Sequence, residues 1–416
     1  MSAELLRTVD ADQVESLASA GVDDATLARA SEIVEDVRLG GEPRLRAIAE
    51  ELGDLGPGET LALGREELLG AAEQLTSDER ALLERTAARI RAFAEAQRAA
   101  LTDVAIDVPG GRAGHEVAPV ESAGCYAPGG RFPLPSSVLM TAVTARAAGV
   151  EEVWVASPRP APITLAAAVV AGADGVLAVG GAQAVAALAY GVGGAPRVDV
   201  IVGPGNRWVT AAKKHVFGTV GIDMLAGPSE LVVLADASAD PARVAADLIG
   251  QAEHDVDALP ILVCTDPELP ARVRSELERQ LAELPTRDTA SVALRSGFAV
   301  VAGGLHEAAA LCDRLAPEHL QLDLRAPEEV RGLLNHYGAL FIGGRAAEVF
   351  GDYGAGPNHV LPTGGGARFT GGLSVLDFLR VRTWLEVQEP GELARDAAAL
   401  ARLEGLEGHA RSAEAR

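Results

Sequence analysis

Apolar residues change their spacing along the chain. Between residues 79 and 101, Leu82, Leu83, Ala87, Ile90, Phe93 and Ala94 recur at helical intervals, which predicts one continuous helix within a largely helical first hundred residues. From Glu116 onward the pattern becomes short β-branched runs, at 153–156, 176–179, 198–202, 231–234, 261–264, 298–302 and 339–342, alternating with helical ones. Buried strands joined by helices predict parallel, doubly wound α/β layers.

Turn chemistry supports the alternation. Asp240-Pro241 follows the run at 231–234, and Asp266-Pro267 follows that at 261–264; in each an N-capping aspartate precedes a proline suited to open a helix. The repeated βα units group into two related lobes, one before about Ala226 and one after it, without a repeat of fixed period. Beyond Arg380 a Glu-, Arg- and Ala-rich sequence predicts a helical C-terminal arm. Too short to form its own core, it must dock on its own chain or on a partner.

Composition narrows the function. The 22 residues from Gly175 to Pro196 carry no charge, long enough to span a bilayer. Six glycines, a central Gln183 and the Gly180-Gly181 break favour a short strand followed by an Ala-rich buried helix. With 36 basic and 59 acidic residues, net charge −23, the chain repels phosphate backbones and anionic lipid, so neither nucleic acid nor membrane is expected as a partner. The largest basic cluster is Lys213-Lys214, the only two lysines beside 34 arginines, a skew that reads as coding bias. Three scattered cysteines without a CxxC pair suit a reducing compartment. Residues 1–10 carry Glu4, Arg7 and Asp10 and no apolar core, so a cytoplasmic protein is expected.

Several clusters could carry chemistry. Gln251 and His254 close the helix opened near Pro241, and their spacing of three puts both on one face, where an amide oxygen and an imidazole could bind a divalent metal; a histidine at the negative end of a helix is the plainer reading. Glu318-His319 follows Pro317, which would open a helical turn or loop and hold an acid/base pair at a bend; an ordinary exposed dipeptide explains it equally well. The run from Phe350 to His359 is glycine-dense and presents Asp352 and His359 just beyond a strand, where α/β sheets place ligands. Glycine turns at 126–130, 179–183 and 202–206 could direct N–H groups at an anion, although none is GxGxxG. Cys125 is the one credible thiol nucleophile; Cys264 and Cys312 fit buried packing.

Residues 222–230, continuing through 245–254, resemble the histidinol dehydrogenase family, as do 316–320, 351–363 and 404–409, so that with the glycine turns the resemblance spans nearly the whole chain. It implies an α/β fold of two Rossmann-like lobes, incomplete and doubly wound, with a helical N-terminal segment (1–24). Residues 25–125 and 230–375 would form the lobe with the metal and acid/base residues, 126–229 the NAD lobe, and 376–416 the arm. The implied activity is zinc- and NAD-dependent oxidation of L-histidinol to L-histidine through L-histidinal with two NAD, the last steps of histidine biosynthesis. A homodimer would share each site, with one zinc per subunit held by Gln251, His254 and Asp352 of one chain and His409 from its partner's arm. Glu318 and His319 would be the acid/base pair, and Tyr126, Gln183 and Asn206 the NAD contacts. Ser229, Gln251, His254, His319, Asp352, Glu404 and His409 would bind substrate; His359 lies in a matching motif without a fixed role. Gly250 departs from the usual Ser or Ala before the glutamine, and Asp255-Val256 departs after the histidine. A relative oxidising another polar alcohol, a zinc hydrolase and a non-catalytic two-lobed binding protein are the alternatives; Glu404 and His409 favour an imidazole-bearing substrate.

Overall fold

The computed structural model describes residues 4–14, 22–129 and 132–416. Its strands are β1 (Arg7–Thr8), β2 (Ala62–Leu63), β3 (Val104–Val108), β4 (Gly111–Pro119), β5 (Ser122–Tyr126), β6 (Glu152–Ala156), β7 (Gly175–Leu177), β8 (Val200–Val202), β9 (Gly221–Ile222), β10 (Glu230–Ala235), β11 (Leu259–Cys264), β12 (Phe298–Val301), β13 (His319–Asp323), β14 (Ala339–Ile342) and β15 (Leu379–Val387). They form two six-stranded sheets, ordered β2-β7-β6-β5-β8-β9 and β1-β12-β11-β10-β13-β14, and a three-stranded sheet β15-β4-β3. The six-stranded sheets are parallel except for antiparallel β2. Both are doubly wound: the chain runs outward from β5 through β6 to β7, then returns to the other side of β5 for β8, and β10 to β13 repeat the manoeuvre.

Strand alternation splits each core into two layers. Val153, Val155, Val200 and Val202 pack under helices Ser77–Ala99, Pro135–Ala148 and Pro162–Ala171. Ala156, Ile201 and Leu177 face Asp24–Glu51, Gly181–Tyr190 and Arg207–Val216. In the other lobe Leu231, Val233 and Leu262 meet helices Pro241–Ala252, Leu269–Leu281 and Arg287–Ser296, while Val232, Leu234 and Ile261 meet Leu305–Leu315.

Several expectations change. The apolar faces of the helices within 25–125 carry Ala30, Val34, Leu45, Ala87 and Ile90, and these pack in the two layers of the β5-containing sheet, one of which also takes in Val360, Leu373 and Val375. β5 itself, central to that sheet, spans Ser122–Tyr126, so the boundary expected between 125 and 126 falls inside a strand. Of the segment 1–24, expected to be helical, Arg7–Thr8 is a strand paired to β12, while residues 1–3 and 15–21 lie outside the described residues, as do Gly130 and Arg131. The arm begins with a nine-residue strand, β15, whose partner β4 lies some 260 residues earlier and supplies backbone pairing from Leu379↔Pro119 to Val387↔Gly111. The uncharged stretch from Gly175 is strand β7 and the ten-residue helix Gly181–Tyr190, and no helix among the described residues is long and apolar enough to cross a membrane. Asp240 caps its helix through Ala242 N–H (3.0 Å); Asp266 instead accepts from Glu268 N–H (3.0 Å) in a turn, and the helix there starts at Leu269 with Pro270 in its first turn.

Candidate active site

Three turns of the first sheet converge at the C-terminal edges of β5, β7 and β8. Tyr126, the last residue of β5, is buried, and its hydroxyl accepts from Gly181 N–H (3.1 Å). Gln183 Nε2 donates to Asp54 Oδ2 (3.2 Å), which also accepts from Gly180 N–H (2.9 Å). Asn206 caps Arg207–Val216 by accepting from Trp208 N–H (3.0 Å) and Val209 N–H (3.3 Å). Gly203, at φ +119°, must be glycine: a Cβ there would lie 2.1 Å from Tyr126 O. β5 and β8 flank the point where strand order reverses, the crevice in which doubly wound sheets bind ligands.

The second lobe gathers its ionisable groups at the opposite, N-terminal edge of its strands. His319 is the first residue of β13, and Pro317 lies in the short loop before it, one of the two forms expected, with a bend at Glu318; Ala316, left-handed at φ 46°, ends helix Leu305–Leu315. Backbone pairing of β13 with β10 sets His319 beside Leu231. His319 Nδ1 donates to Glu230 O (3.0 Å), which fixes the neutral tautomer and leaves the Nε2 lone pair free. Burial lowers the imidazole to about 4, and Nε2 has no partner. Glu318 Oε2 accepts from Glu230 N–H (2.8 Å) and lies 3.6 Å from His319 Nδ1. Its burial pushes the carboxyl well above the ordinary glutamate range.

Around His319 Nε2 lie Asp352 Oδ1 and Glu348 Oε1, each at 3.8 Å. These three side chains offer ligand atoms within 4.8 Å of one another. Gln251 occupies the buried face of Pro241–Ala252; its Oε1 is buried without a partner, and its Nε2 lies 3.4 Å from His254 Nδ1. His254 Nε2 lies 3.7 Å from Asp352 Oδ2, closing the cluster. His359 turns Nδ1 toward Asp352 O (2.9 Å) and so braces the loop that carries it. That loop ties the lobes together: Asn358 Nδ2 donates to Met140 O (2.8 Å) and Thr144 Oγ1 (3.1 Å).

Sequence reasoning missed Glu348, Glu230 and Asp54. Glu348 stands four residues before Asp352, a helical repeat that was the available signal. Burial, then the neighbouring Asp352, raises its carboxyl to about 9. Ser229 lies immediately before β10, at the same edge as Glu318. Glu404 and His409 stand exposed on the arm. Cys125 is fully buried and its thiol is pushed up to about 12, which removes it as a nucleophile. Burial likewise raises Cys264, to about 11, and Cys312.

The fold and this centre define a two-lobed α/β enzyme with a buried imidazole and carboxylate site on one lobe and a crevice at the strand-order reversal of the other. The histidinol dehydrogenase family profile matches residues 18–416. Histidinol dehydrogenase of Aromatoleum aromaticum is 44% identical over 99% of this chain and 95% of its own length. That of Thermus thermophilus is 51% identical over 83% of this chain and 84% of its own. The crystal structure of histidinol dehydrogenase from Elizabethkingia anophelis superposes with a TM-score of 0.91 at 29% identity, covering 100% of this chain and 98% of that one. The chain belongs to the histidinol dehydrogenase family, and is an oxidoreductase.

Proposed function

We propose that the protein oxidises L-histidinol to L-histidine in two NAD-dependent steps through L-histidinal, with a zinc ion at the Gln251 cluster. The observation that carries this reading is the neutral His319, its Nδ1 committed to Glu230 O and its Nε2 buried, unpartnered and 3.8 Å from Asp352. A zinc ion fits the residues present. Gln251 Oε1 is an orphaned buried acceptor, and an imidazole and a carboxylate stand beside it, an N/O donor set suited to that metal. Gln251, His254 and Asp352 would hold the ion, with His409 of the partner's arm as the fourth ligand. When bound, zinc supplies a Lewis acid that orients the imidazole and amino group of the substrate.

The chain's own residues move the protons. His319 Nε2 accepts the hydroxyl proton as hydride leaves the carbinol carbon for the nicotinamide. Glu318, whose raised pKa makes its ionised form a stronger base than a surface glutamate, takes a proton from the water that adds to the aldehyde. Protonated His319 gives its proton to the aldehyde oxygen as the water adds, forming the gem-diol, and then accepts a gem-diol hydroxyl proton during the second hydride transfer; both residues return their protons to solvent before the next turnover. Tyr126, Gln183 and Asn206 would line the NAD crevice, while Ser229 and Glu404 would contact the substrate. The lobe built on β5 would take the cofactor and that built on β10 the alcohol, with both subunits of a cytoplasmic homodimer needed for each site.

The test is a spectrophotometric assay with histidinol and NAD, before and after chelation, beside elemental analysis. Two NADH per histidinol, histidine as product and loss of activity with the metal are expected. No NADH formation, or full activity in metal-free protein, overturns the reading.

A further inference from the structure

Lys213 is one of only two lysines in a chain with 34 arginines. Lys214 is exposed; Lys213 is not, its side chain being 3% accessible and that of its ion-pair partner Asp223 0%. Lys213 Nζ donates to Asp223 Oδ1 and also to Gly203 O (2.8 Å). Asp223 in turn accepts from Gly203 N–H through Oδ2 (2.7 Å) and from Met224 N–H through Oδ1 (2.6 Å). Both polar groups of the Gly203 backbone are therefore held by one buried charge pair. A compact ammonium can serve two acceptors in this closed space; a planar guanidinium with a longer reach cannot.

The position of the pair gives it a role beyond packing. Gly203 lies three residues before Asn206 and against Tyr126 O, at the reversal between β5 and β8. On the other side, Asp223 begins the segment that crosses into the second lobe. Thr210 Oγ1 donates to Ala226 O and Gly227 N–H to Thr363 Oγ1. Three residues later Glu230 donates its N–H to Glu318. One ion pair thus fixes the turn that carries Asn206 and the start of the strand connection that carries the Glu318 contact.

We infer that Lys213 and Asp223 are positioning residues that register the cofactor turn against the acid/base pair across the two lobes. The inference rests on the NAD reading above. Neither side chain touches a reacting atom, so the pair acts through the orientation of Asn206 and Tyr126 relative to His319.

The test measures NADH affinity by protein fluorescence, with KM for NAD and for histidinol, in wild type, Lys213→Met, Lys213→Arg and Asp223→Asn, with circular dichroism to read the fold. The folded variants are expected to weaken NADH binding and raise KM for NAD about tenfold or more, leaving KM for histidinol within about twofold, because a small misplacement is costly at the cofactor turn. Lys213→Arg is expected to fail as a rescue. Should Lys213→Met not fold, the near-isosteric Asp223→Asn carries the test. Unchanged NADH affinity with a lowered Tm, or loss of the fold in every variant, assigns the pair to stability alone and overturns the inference. Wild-type protein that neither binds NADH nor reduces NAD overturns instead the dehydrogenase reading on which it rests.

Discussion

Glu230, at the head of β10, donates its N–H to Glu318 and accepts from His319 Nδ1 through its carbonyl, so one residue's backbone holds both members of the proposed acid/base pair. Its own carboxyl accepts from Gly364 N–H (3.0 Å), and burial raises it to about 7. Between pH 4.5 and 7 the unfolded chain ionises this group while the folded chain keeps it protonated, so its contribution to stability falls as pH rises, by about 3 kcal/mol in all. Glu230→Gln keeps the acceptor for Gly364 and cannot ionise. Its unfolding free energy relative to wild type, from urea titrations, is expected to rise by about that amount across the window; a difference independent of pH would reject the assignment. Glu318→Gln addresses the chemistry. Histidinol oxidation should survive, whereas histidinal oxidation should slow by about a hundredfold or more, the usual worth of a positioned base. Equal losses in both half-reactions, followed separately with alcohol and aldehyde, would dismiss the division of labour between Glu318 and His319.

Helix Pro241–Ala252 was legible in advance because Asp240 and Pro241 mark its start and its apolar residues keep one period. β13 was not, since a proline followed by two ionisable residues reads as a bend; only pairing with β10 makes that segment a buried strand. β3, β4 and β15 were hidden for another reason. Their side chains are mostly half-buried or exposed, leaving weak alternation, and β15 finds its partner far back in the chain. Glu348 escaped because its interest arises from burial beside Asp352, which local sequence does not report. Gly250, one residue before Gln251, lies in the last turn of helix Pro241–Ala252. A Cβ added there meets only Val349 Cγ1, at 3.7 Å, an ordinary contact. Gly250→Ala should therefore stabilise the protein by about 1 kcal/mol through helix propensity. A rise of about 1 °C in Tm by calorimetry is expected, with metal content unchanged; a fall in either would mean the helix end needs glycine.

At the scale of the molecule the arm is tied to its own chain through β15 and ends in a helical hairpin. Helices Gly391–Leu403 and Glu407–Glu414 pack on each other and bury Ala398 and Ala410 between them. Arg402 braces the pair through Glu407 (3.0 Å) and Glu414 (2.7 Å), exposed links of modest worth that nonetheless favour a preformed hairpin. Leu400 and Leu406 remain exposed, and Leu403 is 85% accessible, an apolar face suited to burial against another subunit. Glu404 caps the first helix of this hairpin and His409 lies in the second. If the arm serves the partner, His254→Asn and His409→Asn are each inactive as homodimers, but a mixed dimer holds one intact site: the unaltered body of the His409 variant with the unaltered arm of the His254 variant. Random reassociation of equal amounts makes about half the dimers mixed, with one of two sites working, so about a quarter of wild-type activity should return. Recovery should appear only after the subunits have been dissociated and rejoined, read as NADH formation in the reassociated mixture. No recovery, in a mixture that native mass spectrometry shows to contain mixed dimers, would place His409 outside the partner's site and leave the zinc coordination to the residues of a single chain.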